Sequence, residues 1–568
     1  MKLHVCLSAL LAVMASGQGV QAATPDAYRD LNHNGRRDVY EDAGQSIDAR
    51  VDDLVRQMTL EEKVGAMMHG SLPAGDELGH GGAIYDLNRV GVMIGERHLN
   101  SFITRLVVAP RRLAEQNNEV QRLAEQTRLG IPVTISTDPR NHFQAVLGAS
   151  TAGGGFSLWP ETLGLAATGD ADLVRRFGEV ARREYRAVGI QMALSPQADL
   201  ASEPRWPRVT ATFGSDPADV SRMVQAYVEG FQGGTDGAPL EPVAAGFNRQ
   251  LPTDLLRDKK GFKGLVLSDW AITNNCDAAC RAPTADHPQT AKDIGMPWGV
   301  EGLTQPERFA KGVTAGIDQF GGVNDGAMLL QAVRDGQVPA ARLDEAVRRI
   351  MTLKFQLGLF DNPYVDPDVA ERVVGDPQSR AQADLAQRRA QVVLEDGGRP
   401  LTAEGVKTVW LYNVDPEEAR RRGWAVASDP AQADLALVRV NAPFERLHPH
   451  HFFGARQNEG RLDFRDGDAD YEAVKQARAA RRSVVAVNLD RPAILTNIRD
   501  KTDVLIATFG ASDAAVLDVA TGQARGEGRL PFELPSSMAA VEAQDPARPD
   551  DSAAPLYPRG YGRGAPRN

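Results

Sequence analysis

The sequence predicts an α/β protein of two units: a parallel (β/α)8-type barrel domain over residues 50–361, then a smaller layered α/β sandwich domain over 386–560. Three observations carry this expectation. Short apolar strand candidates alternate with amphipathic helical stretches from about residue 50 to 360, the pattern of a parallel sheet wrapped by helices. The alternation breaks at Asp361-Asn-Pro-Tyr-Val-Asp-Pro-Asp368, which opens a linker over 362–385. It then resumes, and 568 residues exceed one ordinary core.

The elements follow in order. Lys2 and the apolar run Leu3 to Ala15, closed by Val20-Gln21-Ala22, make residues 1–22 a secretory signal peptide. Residues 23–49 read as an extended lead-in. Within it Asp30, Asn32, Asn34, Gly35, Asp38 and Glu41 match positions 1, 3, 5, 6, 9 and 12 of a calcium loop. Arg37 stands where such loops carry an aliphatic residue, and an Asx-turn-rich surface loop is the other reading. Helical pattern begins at Arg50, and Thr59-x-x-Glu62 is a capping box opening a second helix. Strands are expected at 131–136, 189–194, 264–268 and 316–320, and helices at 172–188, 219–231 and 343–357. In the second unit strands are expected at 409–412, 435–440, 484–488 and 504–508, with a helix at 471–480. The last dozen residues are poor in apolar side chains and expected to fray.

Composition narrows the function. The chain is 42% hydrophobic and 24% charged, with no apolar run long enough to span a bilayer, so no stable membrane insertion is expected. Its formal charge of −11 becomes −12 once Lys2 leaves with the signal peptide. An acidic exported chain has no footprint for nucleic acid, and the expected location is periplasmic or secreted. Two cysteines remain, Cys276 and Cys280, and an oxidising compartment makes a short-loop disulfide the expected state. Two thiols alone make a poor zinc site. Neither G-x-S-x-G nor H-E-x-x-H occurs, which argues against serine or metal hydrolysis.

The most telling stretch is Gly261-Phe-Lys-Gly-Leu-Val-Leu-Ser-Asp269-Trp270-Ala271. A buried strand candidate ends in a carboxylate followed by a tryptophan. At the C-terminal end of a barrel strand a carboxylate reads as catalytic, and the indole offers a flat apolar face to a sugar ring. A helix cap is the other reading of Asp269.

The chain resembles glycoside hydrolase family 3, close to two-domain bacterial β-glucosidases of the exo-β-glucan glucohydrolase type. The resemblance runs from about Asp30 to Gly560 and rests on motifs in order. They include Gln57-Met-Thr-Leu-Glu-Glu-Lys-Val64, Leu129-Gly-Ile-Pro-Val133, Trp159-Pro-Glu-Thr-Leu-Gly164 and Pro204-Arg-Trp-Pro-Arg208. Thr212-Phe-Gly-Ser-Asp-Pro217, Gly264 to Trp270, Lys354-Phe-Gln-Leu-Gly-Leu-Phe360 and Gly528-Arg-Leu-Pro-Phe-Glu-Leu-Pro535 complete the set. The resemblance implies a retaining hydrolase with two carboxyl groups about 5–5.5 Å apart. Asp269 falls on the nucleophile position. The acid/base is implied on a second-domain loop, here Asn441 to Gly460, where Glu445 and Glu459 both qualify and Glu459, at the glycine-flanked tip, is preferred. Asp138 matches a hydroxyl-binding aspartate, with a helix cap as the other reading. Arg208 matches a substrate-binding arginine, although Pro207 replaces the usual glycine. Glu203 and Arg205 could equally form a structural ion pair. His448, His450 and His451 read as a solvated loop face rather than a metal site. The expected substrates are β-linked glucosides or oligosaccharides. No cofactor is required; a structural calcium at the lead-in loop is the one candidate ion.

The pattern also fails in one place. The family implies a strand with a sugar-gripping Lys-His pair after the helix at 219–233, and another strand before the helix preceding Asp269. Here 233–248 is Gly- and Pro-rich and leads almost at once to a helix at 252–259, and no Lys-His dipeptide occurs. The expectation is an internal deletion and an incomplete barrel with fewer than eight strands. Asp269, Asp138 and Arg208 should face one opened cleft, with no cation replacing the lost pair. A catalytically impaired carbohydrate-binding relative is the alternative to an active β-glucosidase.

Overall fold

A computed structural model describes residues 28–74, 82–138, 141–143, 154–233, 247–398 and 402–563. The expected signal peptide and most of the bridge at 234–250 lie outside them. Among the described residues no helix is long and apolar enough to cross a membrane.

The first unit holds six parallel strands: β1 Met68–Ser71, β2 Ser101–Ile103, β3 Thr134–Thr137, β4 Met192–Ala193, β5 Leu267–Trp270 and β6 Gln319–Gly321. Their order is β4-β3-β2-β1-β6-β5, so β4 and β5 are open edges. Parallel neighbours need crossovers, and helices supply them. Pro110–Glu125 links β2 to β3, Ala171–Ala187 links β3 to β4, and Gln305–Ala315 links β5 to β6. After β4 the helix Pro217–Gln232 ends on left-handed Gly233, and the next described helix is Gln250–Lys259, wound as a π-helix. Among the described residues no strand stands between β4 and β5. The barrel is therefore incomplete, as expected.

All four expected strands of the first unit start later than expected, and two of the departures have a local cause. Residues 189–194 shrink to two strand residues, because β4 has only β3 to pair with. The strand expected at 264–268 moves forward to Leu267–Trp270. Before it, the Val266 N–H goes to the buried Asp318 carboxylate at 2.9 Å instead of a ladder partner. That carboxylate also takes Arg257, Arg342 and Arg349, so three guanidinium groups compensate one desolvated anion and lock the base of β5 to β6.

The second unit is a mixed six-stranded sheet: β7 Val392–Glu395, β8 Thr408–Tyr412, β9 Ala425–Val426, β10 Leu435–Asn441, β11 Ser483–Asn488 and β12 Val504–Thr508. The order is β7-β12-β11-β10-β8-β9, with β7 antiparallel and the rest parallel. Alternation of side chains sends Ala436, Val438, Val485, Val487, Leu505 and Ala507 into one core layer, and Leu435, Leu437, Val484, Ala486, Val504 and Ile506 into the other. Both faces are covered, which is why these strands read as unbroken apolar runs. The units meet through backbone bonds from Glu161 to Phe509, Ser215 to Pro531 and Arg529 to Ala167.

Candidate active site

Parallel strands put their C-terminal ends on one side of the sheet, and the candidate residues leave from there. Asp269 is the third residue of β5. Its side chain is exposed, as expected of an open edge, and among the described residues its carboxylate takes one hydrogen bond, from the Trp270 N–H at 2.6 Å. Trp270 lies flat on the β6 turn: a Cβ on Gly321 or Gly322 would come within 2.7 and 2.6 Å of its ring. Only glycine allows that approach. The chain then turns at Ala271, whose φ of 57° is left-handed.

Beneath Trp270 sits His69 of β1, edge to face at 5.5 Å. It is wholly buried, 3.2 Å from Gln319 Oε1 through Nδ1 and 2.7 Å from Ser136 Oγ through Nε2. Gln319 gives its amide to Ala66 O, which turns Oε1 toward the ring. His69 Nδ1 therefore carries the proton, and Nε2 accepts from Ser136. Burial pushes this imidazole down to about 4, with Lys354 and Arg105 pushing the same way.

Asp138 follows β3 and is paired with Arg105 at 3.2 Å, the arginine nearly buried. The cation at this carboxylate is an arginine, not a lysine or histidine. β2 and β3 pair with Ile103 opposite Ser136, so residues two beyond each strand pairing fall opposite one another, and these are Arg105 and Asp138. Arg208 is exposed and donates to Gln197 Oε1 at 2.7 Å, just past the C-terminal end of β4. Its neighbours Glu203 and Arg205 form the ion pair, at 2.7 Å.

The second unit contributes the loop that leaves β10. Glu445 and Glu459 lie side by side across an antiparallel bridge, with the Glu445 N–H donating to Glu459 O at 2.7 Å. Glu445 Oε2 accepts the Arg461 N–H at 2.8 Å. Glu459 accepts the His448 N–H at 2.8 Å and faces His448 Nδ1 at 2.9 Å. Beneath both, the fully buried Arg491 donates to Pro443 O at 2.7 Å, and Asn458 donates to Asp490 at 2.7 Å. Burial raises the Asp490 carboxyl above the usual carboxylate range.

The segment from Ala271 to Thr304 is held by the disulfide and by a buried arginine that carries no sequence signature. Cys276 and Cys280 are bonded, as expected, with S–S at 2.02 Å. Arg308, 4% exposed, gathers Val300 O, Glu301 O, Thr273 O, Asn274 O and Asn275 Oδ1 at 2.8–3.3 Å. Met296 N–H returns to Ala271 O at 3.0 Å, which brings the far end of the segment back beside the end of β5. Arg105, His69 and Arg308 were missed because each acts through tertiary contacts; only Arg105 was accessible, by counting register across β2 and β3.

The lead-in loop folds on itself. Asp30 takes the Asn34 and Gly35 N–H groups, Asn32 and Asn34 donate to Asp38, and Glu41 takes the Leu31 and Asp38 N–H groups. Its carboxylates are thus engaged by the loop's own amides. Among the described residues no three His, Cys, Asp or Glu side chains gather as a metal site, the histidines at 448–451 included.

Comparison with known proteins places this arrangement. Residues 59–244 match the N-terminal domain of glycosyl hydrolase family 3. The chain is 45% identical to a periplasmic β-glucosidase/β-xylosidase of Dickeya chrysanthemi, covering 94% of this chain and 93% of that protein. It is 35% identical to β-glucosidase C of Emericella nidulans, with coverages of 93% and 94%. Among solved structures, a β-glucosidase of Erythrobacter marinus superimposes with a TM-score of 0.74 at 19% identity, covering 92% of this chain and 84% of that one. The Listeria innocua β-glucosidase in complex with isofagomine gives 0.67 at 20% identity, covering 90% and 82%. The Dickeya alignment runs over 608 positions against 568 residues here, so that relative carries residues with no counterpart in this chain. A six-stranded parallel first unit, a sandwich whose loop brings two glutamates, and this identity over nearly the whole length lead to one conclusion: the chain belongs to glycosyl hydrolase family 3 and is a glycoside hydrolase.

Proposed function

We propose that the protein is an exported β-glucosidase that removes terminal glucose from β-glucosides or β-glucan oligosaccharides with retention of configuration. The observation that carries this is the carboxylate Asp269 at the C-terminal end of an edge strand, next to a segment against which the glutamate-bearing loop of the second unit is docked. In this reading Asp269 attacks the anomeric carbon, and Glu459 protonates the leaving oxygen and then activates water, with Glu445 as the second candidate. Asp138, paired with Arg105, accepts hydrogen bonds from ring hydroxyls, Arg208 donates to them, and Trp270 packs against the sugar. No organic cofactor is needed. Calcium at the Asp30–Glu41 loop is proposed as a structural ion only, on its spacing.

A chromogenic aryl β-glucoside tests the proposal. Wild type should turn over, Asp269→Asn should lose activity by several orders of magnitude, and the first sugar released should be the β-anomer. Equal turnover by the two proteins refutes the role of Asp269. One observation favours a second reading, an impaired sugar-binding relative: Asp269 is exposed at an open sheet edge, where its charge lacks a cationic neighbour among the described residues. Glucose binding by calorimetry without hydrolysis would select that reading.

A further inference from the structure

The two halves of the site come from different units, so something must hold them in register to the fraction of an ångström that proton transfer needs. Each half is rigid by itself. The barrel segment is gathered by Arg308 and the Cys276–Cys280 bond, and the second-unit loop by Arg491, Asp490 and its own antiparallel bridge. Gln289 joins them.

Both ends of its side-chain amide and its backbone donor take part in doing so. Its N–H donates to His450 O at 2.9 Å. Its Oε1 accepts the Phe452 N–H at 3.0 Å. Its Nε2 donates to Cys280 O at 3.3 Å, inside the disulfide hairpin. A side-chain amide can accept on one end and donate on the other, and here the acceptor faces the second unit while the donor faces the first. Two bonds fall on alternate residues of one short stretch, 450 and 452, so they clamp it as a strand neighbour would. That stretch lies between Glu445 and Glu459 in sequence.

We infer that Gln289 is a positioning residue, which seats the loop carrying Glu445 and Glu459 over the barrel mouth and so sets the reach of the general acid. The inference rests on the proposed β-glucosidase reading. It does not make Gln289 a group that touches substrate. The consequence is selective: losing the clamp weakens protonation of the leaving oxygen and leaves attack by Asp269 intact.

The test is a series of aryl β-glucosides of graded leaving group, with wild type, Gln289→Ala and Gln289→Glu. Dinitrophenolate leaves without a proton, whereas phenolate requires one. For Gln289→Ala, kcat/KM should fall about tenfold or more on phenyl β-glucoside and less than about twofold on the dinitrophenyl substrate. Gln289→Glu keeps the acceptor for the Phe452 N–H and should recover part of the loss. Equal losses across the series, or no loss, overturn the inference. Hydrogen exchange supplies a second reading independent of turnover: in Gln289→Ala the amides of 450–453 should exchange faster while those of the second sheet do not change. Unchanged exchange there overturns the inference as well. If wild type hydrolyses none of the glucosides, the β-glucosidase reading fails and the exchange experiment still decides whether Gln289 seats the loop.

Discussion

Acid should loosen the first unit from inside its six-stranded sheet, through His69. The imidazole is wholly buried under Trp270, donates from Nδ1 to Gln319 and accepts at Nε2 from Ser136, so a second proton would place an unsolvated charge in the core. Lys354 and Arg105 add unfavourable charge, and the ring is pushed from 6.5 down to about 4. The unfolded chain takes up a proton as pH falls through 6.5, whereas the folded protein resists until about 4. The stability contributed by the neutral ring is therefore complete above pH 6.5 and is lost progressively below it. The separation between the two values corresponds to about 3 kcal/mol by pH 4. His142, also pushed down to about 4 by burial, acts in the same direction, so wild type alone cannot isolate one ring. The measurement is the melting temperature of wild type and His69→Gln at intervals from pH 7.5 to 4.5. Glutamine keeps a donor and an acceptor but cannot titrate. The two curves should converge as pH falls, with wild type losing several degrees more than the variant. Parallel curves would refute the assignment of acid sensitivity to His69.

Two further outcomes are expected. Arg308→Met keeps the buried volume but removes five hydrogen bonds from the Ala271–Thr304 segment, which should cost about 3–5 kcal/mol and expose that segment to limited proteolysis; a fall in melting temperature under about 2 °C would contradict it. Chelation with EGTA should lower the melting temperature and added calcium restore it if the Asp30–Glu41 spacing holds an ion; superimposable curves leave a loop maintained by its own hydrogen bonds.

Much of this protein is legible in its sequence because the physics is local. Alternation of apolar runs with amphipathic helices marks two α/β units, since a strand covered on both faces must be apolar throughout, as β11 and β12 are. Capping boxes place helix starts to the residue, as at Thr59. The Gly- and Pro-rich bridge without apolar runs leads one to expect fewer than eight strands, and six stand among the described residues. Two cysteines four apart, in a chain expected to be exported, foretell their bond.

What the tertiary structure decided is which charges meet. Arg105 reaches Asp138 because two strands pair in one register and not the next, and a slip of one residue would turn the arginine away. The strand holding Asp269 starts later than its apolar run because a buried aspartate, Asp318, more than fifty residues away, captures the Val266 amide. His69 is pushed toward the neutral form because side chains from neighbouring strands, Trp270, Gln319 and Ser136, bury it. Gln289 becomes a clamp only because a loop from another unit arrives with two backbone groups at the right separation. Each depends on contacts between residues far apart in the chain, whose distances are set by the packing of whole elements and leave no local pattern to read.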